Sequence, residues 1–233
     1  MNKLIEVKNL YKSYDKGLVE ALSDINLTLE EGKIYALMGT SGCGKSTLLN
    51  LIGTLDIPSK GEILYEGKLL DKVGAIHTFR RDFIGFIFQF HHLIPVLSLR
   101  ENVQSALLSN HNISPLERQE RTDALLESMG ILHRGDSYAS DISGGERQRG
   151  AIARALINSP RVILADEPTG NVDSKTAEII LKKLQEHVKK TSGTLLVATH
   201  DPNVAAIADV MIRMQDGRII SIAYKESQER ALL

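Results

Sequence analysis

Residues Gly39–Thr47 read Gly-Thr-Ser-Gly-Cys-Gly-Lys-Ser-Thr, which fits the spacing G-x-x-x-x-G-K-[ST]. The residue types define the chemistry. Gly39, Gly42 and Gly44 let the backbone bend tightly and aim successive N–H groups, including those of Thr40, Ser41 and Cys43, at phosphate oxygens. Lys45 adds a point charge near the β- and γ-phosphates of a nucleotide, and the Ser46 hydroxyl can hold Mg²⁺. A helix opening at Thr47–Leu48–Leu49 would turn its positive dipole end toward the same anion. The apolar run Ile34–Met38 supplies the buried strand that such a loop needs before it.

Three further groups could act on a phosphate. Val162–Ala165 is apolar and is followed by Asp166 and Glu167. Alone, the pair reads equally well as a solvated acidic loop. Beside a phosphate loop, Asp166 is expected to hold Mg²⁺, directly or through water, and Glu167 to polarise an attacking water. Ser143 and Glu146 stand in capping-box register before a helix through Ala151, Ile152, Ala155 and Leu156. Ser143–Gly144–Gly145–Glu146 is therefore a second anion-binding helix end. Most capped helices bind nothing, and two such ends need not face one nucleotide within one monomer. His200 ends the apolar run Thr194–Thr199, where it could touch a phosphate or sit as a solvated loop residue. The six other histidines have no such setting; His91 and His92 adjoin but lack metal-site spacing.

The elements that must carry these groups follow from periodicity. Leu4–Val7, Ile25–Leu29 and Ile34–Met38 read as strands, and Gly61–Tyr65 with Gly67–Leu70 as a hairpin through Glu66–Gly67. Ile84–Phe88 is another strand, ending at Gln89. The pattern is helical from Phe90 to Asn158. Within it Ser114–Pro115–Leu116–Glu117 is a helix start with a capping-box glutamate, and Gly130 is a stop. Val162–Ala165 and Thr194–Thr199 are buried strands, separated by a helix whose face is Ala177, Ile180, Leu181, Leu184 and Val188. Val210–Met214 and Arg218–Ile222 pair through Asp216–Gly217. Strands alternating with helices predict an α/β fold with a mainly parallel sheet and a helical insertion.

The chain has 233 residues, is 42% hydrophobic and 24% charged, and carries a net charge of -1. This size suits one large domain, and the charge balance gives no reason to expect a nucleic-acid partner. The single cysteine, Cys43, excludes an internal disulfide and fits a reducing compartment. A bulky adduct on it is expected to block the phosphate loop. No signal peptide is read at the start, and Phe83–Leu99, the most apolar stretch, is too short and polar to span a bilayer. The chain is thus expected to cross no membrane by itself.

Taken together, the Gly39–Thr47 loop, Gln89, Ile142–Ser143–Gly144–Gly145–Glu146, Ile163–Glu167 and His200 resemble, in order and over Leu4 to Ile222, the ATP-binding subunit of an ABC transporter. Asn171–Val172–Asp173 is similar to the family's dimer-contact loop. Tyr14 is placed like its adenine-stacking aromatic, with Tyr11 as competitor. The resemblance implies a P-loop ABC ATPase fold with an antiparallel β subdomain. It implies a nucleotide-binding core over 1–89 and 159–223, a helical subdomain over 90–158 and a polar tail over 224–233. It also implies ATP and Mg²⁺, with Ser46, Gln89 and Asp166 on the metal and Lys45, Gln89, Glu167 and His200 in catalysis. Two copies would pack head to tail, each ATP lying between one phosphate loop and the partner's Ser143–Gly145. Ile142 departs from the usual Leu, and Gly150 stands where a β-branched residue is common.

The segments Gln89–Pro95, Ser143–Arg149 and Leu164–Asn171 are similar to the branch that includes LolD, MacB and FtsE. The Gln-Phe-His-His-Leu run is most like the lipoprotein-releasing ATPases, where it would form part of a socket for a permease of the FtsX, LolC, LolE or MacB kind. What this implies is a peripheral ATPase on the cytoplasmic face of the inner membrane, driving lipoprotein release. The alternatives are export of a drug or peptide and control of cell-wall hydrolases. Translation and repair ATPases of the family carry two cassettes or long coiled coils, and neither is present here. A guanine-reading N-K-x-D motif is likewise missing.

Overall fold

The computed structural model describes residues 2–110 and 112–225. Two sheets organise the chain. The first is antiparallel, in the order β2-β1-β4-β5, and comprises β1 (Lys3–Tyr14), β2 (Val19–Glu30), β4 (Lys60–Tyr65) and β5 (Lys68–Leu69). The second has the order β10-β9-β3-β8-β7-β6. It contains β3 (Ile34–Met38), β6 (Ile84–Ile87), β7 (Val162–Asp166), β8 (Thr194–Ala198), β9 (Val210–Gln215) and β10 (Arg218–Tyr224). All its pairings are parallel except β9 with β10.

The helices are α1 (Lys45–Ile52), α2 (Ile76–Phe83), α3 (Leu99–Gln104), α4 (Pro115–Ser128), α5 (Gly144–Leu156), α6 (Ser174–Thr191) and α7 (Pro202–Ile207). The expected α/β fold, with its antiparallel sheet and inserted helices, is the one observed.

Strands β3, β7 and β8 are buried on both faces, as parallel strands covered on both sides must be. Period-two alternation divides their side chains between two cores. Tyr35, Leu37, Val162, Leu164, Leu196 and Ala198 face the antiparallel sheet and α1. Ile34, Ala36, Ile163, Ala165, Leu195 and Val197 face a second core with α3, α5 and α6.

Some elements depart from expectation. β1 and β2 each run 12 residues, paired through register shifts that short apolar runs do not announce. Helix α2 was unpredicted. It is anchored by Phe79 and Phe83, stacked at 4.8 Å, with Tyr65 edge-on at 4.9 Å from Phe79. Helix α1 starts at Lys45, two residues before the expected Thr47. Ser114 caps α4 by accepting from the Glu117 N–H at 3.2 Å, but the Glu117 carboxylate pairs with Arg121 and does not close the box. β10 continues to Tyr224, into the expected tail; residues 226–233 of that tail lie outside the described residues.

Both hairpins turn as expected, with positive φ at Glu66–Gly67 and Asp216–Gly217. Gly150, on the buried face of α5, lies against α3: a Cβ there would stand 2.2 Å from Leu99 Cδ1.

Candidate functional site

Because β3, β6, β7 and β8 run parallel, their C-terminal ends share one edge, where open α/β sheets bind ligands. The loop after β3, the segment after β6 and the tips of β7 and β8 meet there around a cavity of about 510 Å³. Its walls include Gly39–Gly42, Gly44–Thr47, Gln89, Asp166, Glu167 and His200, with Val19, Glu20 and Ala21 of β2 opposite.

The loop is shaped by its glycines. Gly42 and Gly44 have φ of +79° and +103°, where an L side chain is strained. A Cβ on Gly39 would stand 2.4 Å from the Met214 carbonyl oxygen. Lys45 is nearly buried, and its Nζ donates to the Gly39 and Thr40 carbonyls at 2.8 and 3.0 Å. The ammonium thus closes the loop around itself, and the loop's turn brings Cys43 N–H to Thr40 O at 3.3 Å.

The Cys43 side chain corrects an expectation. It is 4% exposed, belongs to the core and does not line the cavity. A thiol adduct would first have to break packing; the Sγ lies against the inner side of the loop, 4.0 Å from Lys45 Nζ.

The acids are positioned by the ends of β7 and β8. Burial pushes the Asp166 carboxyl up. The charge of Glu167 adds to this, while a Ser46 hydrogen bond and Lys45 oppose it. Glu167 has φ +45°, a left-handed conformation that costs roughly 1–2 kcal/mol for a residue with a Cβ. It is held by its N–H, which donates to Ala198 O at 2.9 Å. Thr199 Oγ1 donates to one carboxylate oxygen at 3.3 Å, and His200 Nδ1 lies 2.8 Å from the other. The Glu167 carboxylate is therefore fixed from two sides while facing the cavity. A hydroxyl, an amide and a carboxylate (Ser46, Gln89, Asp166) make an all-oxygen donor set suited to a hard cation such as Mg²⁺.

Other expected residues are not among these walls, although Tyr14 pairs with Val19, which is. Tyr14 does not line the cavity, but burial and a 2.9 Å hydrogen bond to Asp56 raise its phenol. Lys12 Nζ covers its ring at 4.8 Å from the centroid and pairs with Asp56 at 2.6 Å. Neither Asp56 nor Thr199 stands out in the sequence, where Asp56 looks like an ordinary polar loop residue and Thr199 like the end of a buried strand. Ser143, Gly144, Gly145 and Glu146 are also outside the described lining. They form the expected capping box at the head of α5. The Ser143 N–H, donating at 2.8 Å, is the main reason the Glu146 carboxyl sits down at about 2.

A second cavity of about 490 Å³ lies between α2, β6 and α5, with Arg80, Phe86, Phe88, His92, Ala155 and Asn158 among its walls. The segment joining the two cavities carries two successive residues of positive φ, His91 at +41° and His92 at +48°.

Comparison with known proteins agrees with this fold. The family profile described as "ABC transporter" matches residues 22–170. The lipoprotein-releasing system ATP-binding protein LolD of Geobacter metallireducens is 42% identical over 228 residues, 95% of this chain and all of that protein. An uncharacterised ABC transporter ATP-binding protein, MJ1508 of Methanocaldococcus jannaschii, is 42% identical over 95% of this chain and its own full length. Among solved structures, MJ0796 bound to ADP and Pi, described as a dimeric post-hydrolysis state, has a TM-score of 0.89 at 38% identity, covering 95% of this chain and 98% of that one. The cbiO1 protein of Clostridium perfringens, part of the cbiONQ transporter complex, has a TM-score of 0.84 at 31% identity, covering 96% and 89%. The chain belongs to the ABC transporter family, as an ATP-binding subunit that hydrolyses ATP.

Proposed function

We propose that this subunit works as a homodimer on the cytoplasmic face of a membrane and drives the release of lipoproteins by an integral permease. The observation that carries the cargo reading is the 42% identity to LolD over the whole of that protein. The dimeric arrangement of MJ0796 supports the assembly. Among the described residues no helix is long and apolar enough to cross a membrane, so the lipid-embedded work falls to a partner. The cavity walled by Phe86, Phe88 and His92 is the socket proposed for a segment of that partner.

In this reading the Gly39–Thr47 loop and Lys45 hold the β- and γ-phosphates of ATP, and Tyr14 stacks on adenine. Ser46, Gln89 and Asp166 would hold Mg²⁺, which when bound neutralises charge on the phosphate oxygens. Glu167, fixed by Thr199 and His200, orients the attacking water and accepts its proton. His200, on the cavity wall, donates toward the γ-phosphate. Ser143 and Gly145, outside that wall, act on the ATP of the partner subunit through the α5 helix end. Closure on ATP and reopening after hydrolysis favour different permease conformations, which is how the subunit does work.

The test is purification of the tagged chain from detergent-solubilised membranes of its source, followed by ATP-dependent release of a lipoprotein from reconstituted vesicles. A permease that frees lipoprotein only with ATP is expected. Recovery of a drug or peptide exporter, or of a partner that controls cell-wall hydrolases, would overturn the cargo and leave the ATPase standing.

A further inference from the structure

His91 and His92 stand side by side in the segment that joins the nucleotide cavity to the α2–α5 groove. Two consecutive left-handed residues turn the chain so sharply that their side chains part. The His92 ring lies 4.8 Å from that of Phe88 and walls the groove. The His91 ring turns the other way, and its Nε2 lies 3.1 Å from the Gly144 carbonyl oxygen in the first turn of α5. Gly144 immediately follows Ser143, the cap of that helix.

The strained turn is held from α5 as well. Arg154, about three turns further along, donates from Nη2 to His91 O at 2.9 Å and from Nη1 to His92 O at 2.6 Å. Asn171 Nδ2 approaches Gln89 O at 3.5 Å from the segment after β7. A left-handed pair of non-glycine residues persists only where its surroundings impose it. Here a forked arginine does so, at a place where one histidine faces a groove and its neighbour faces a helix end.

We propose that His91 is a positioning residue, whose Nε2–H bond to the Gly144 carbonyl makes the Gln89–His92 segment and the Ser143 end of α5 move as one piece. The hydrogen bond requires a proton on Nε2, because the carbonyl oxygen can only accept. Whatever displaces His92 from the groove side is thereby transmitted to the helix end that carries Ser143. The role of that end in ATP closure rests on the proposed dimer; the mechanical tie does not.

Hydrogen–deuterium exchange of the full chain tests the tie without any catalytic readout. His91→Phe keeps the ring and removes the donor. His91→Gln places an amide donor near the position of Nε2. In His91→Phe, amide exchange in residues 144–148 and in residues 89–93 is expected to rise together by about fivefold, while β3, β7 and β8 keep their protection. His91→Gln is expected to restore both segments to within twofold. Unchanged exchange at 144–148 in His91→Phe would overturn the proposal, as would an equal rise in both variants. If His91→Phe does not fold, His91→Ala carries the same prediction without added bulk. Steady-state hydrolysis supplies a second arm: kcat falls several-fold in His91→Phe with KM within twofold, and recovers in His91→Gln. An unmutated chain that hydrolysed no ATP would count against the function proposed above, whereas the exchange pattern alone decides the tie.

Discussion

The three loop glycines should differ in what alanine does to each, because the structure gives each a different obstacle. Gly42 has φ +79° but nothing within 4 Å of an added Cβ. Gly42→Ala therefore meets only backbone strain, about 1–2 kcal/mol. A Cβ on Gly39 would press 2.4 Å from Met214 O and 2.6 Å from Cys43 Sγ. One obstacle is backbone, so the loop or β9 must shift, at an overpacking cost of about 1–3 kcal/mol. Gly44 combines both, with φ +103° and a Cβ 2.7 Å from Ala21 O and from Leu22 Cδ2. Gly44→Ala should cost about 2–5 kcal/mol, the sum of the two effects, a large share of the roughly 5–15 kcal/mol that stabilises a domain. The assay is the urea midpoint of each nucleotide-free variant at fixed pH and salt. The expected order of destabilisation is Gly44→Ala, then Gly39→Ala, then Gly42→Ala. A Gly42→Ala midpoint as low as that of Gly44→Ala would refute the reasoning, because strain without steric overlap would then suffice.

Lys45→Ala should abolish steady-state hydrolysis and orphan the Gly39 and Thr40 carbonyls; near-normal turnover would contradict its proposed role at the phosphates. Glu167→Gln should slow hydrolysis by about 10²–10⁴-fold yet leave ATP binding intact, so that the protein elutes as a dimer with ATP on size exclusion; a strictly monomeric profile counts against assembly through Ser143. Asp166 gives a pH prediction. Its folded-state pKa is raised by burial, so the ionised carboxylate weakens the fold, and the margin held at low pH is lost as pH rises through that value. Asp166→Asn should therefore raise the Tm of the nucleotide-free chain at pH 7, with the gain vanishing below about pH 4, the ordinary aspartate range. A gain that persists at pH 3 would show that packing, not charge, is responsible.

Much of the site could be read before the structure because it is built from short contiguous runs. The Gly39–Thr47 loop, Asp166–Glu167 and His200 each sit at the tip of an apolar strand, and parallel pairing brings such tips to one edge. What escaped was non-local. Asp56 supports Tyr14 across 42 residues, and no spacing rule links them. Arg154 clamps a turn more than 60 residues away. The His91–His92 pair reads as part of a socket, but nothing in its sequence tells that the two side chains diverge, one to the groove and one to a helix end. Helix α2 has only 8 residues, too short a window for Phe79 and Phe83 to announce a helix by spacing alone. The orientation of Cys43 was also illegible, since a tight loop can send one residue inward while its neighbours face the cavity. Glu117 looked like the second half of a capping box, but Arg121 one turn on offered it a better partner.

The bare backbone at Gly150 lets Leu99 occupy the space that a side chain on α5 would fill. Positions 99 and 150 consequently share one allotment of volume and cannot drift independently in descent. A bulkier residue at 150 is admissible only after 99 has shrunk, and a smaller one at 99 leaves a void until 150 grows. Lineages that crossed that step in opposite orders would carry the same architecture with mutually incompatible interiors, so a helix transplanted between them would fit in outline and fail in detail.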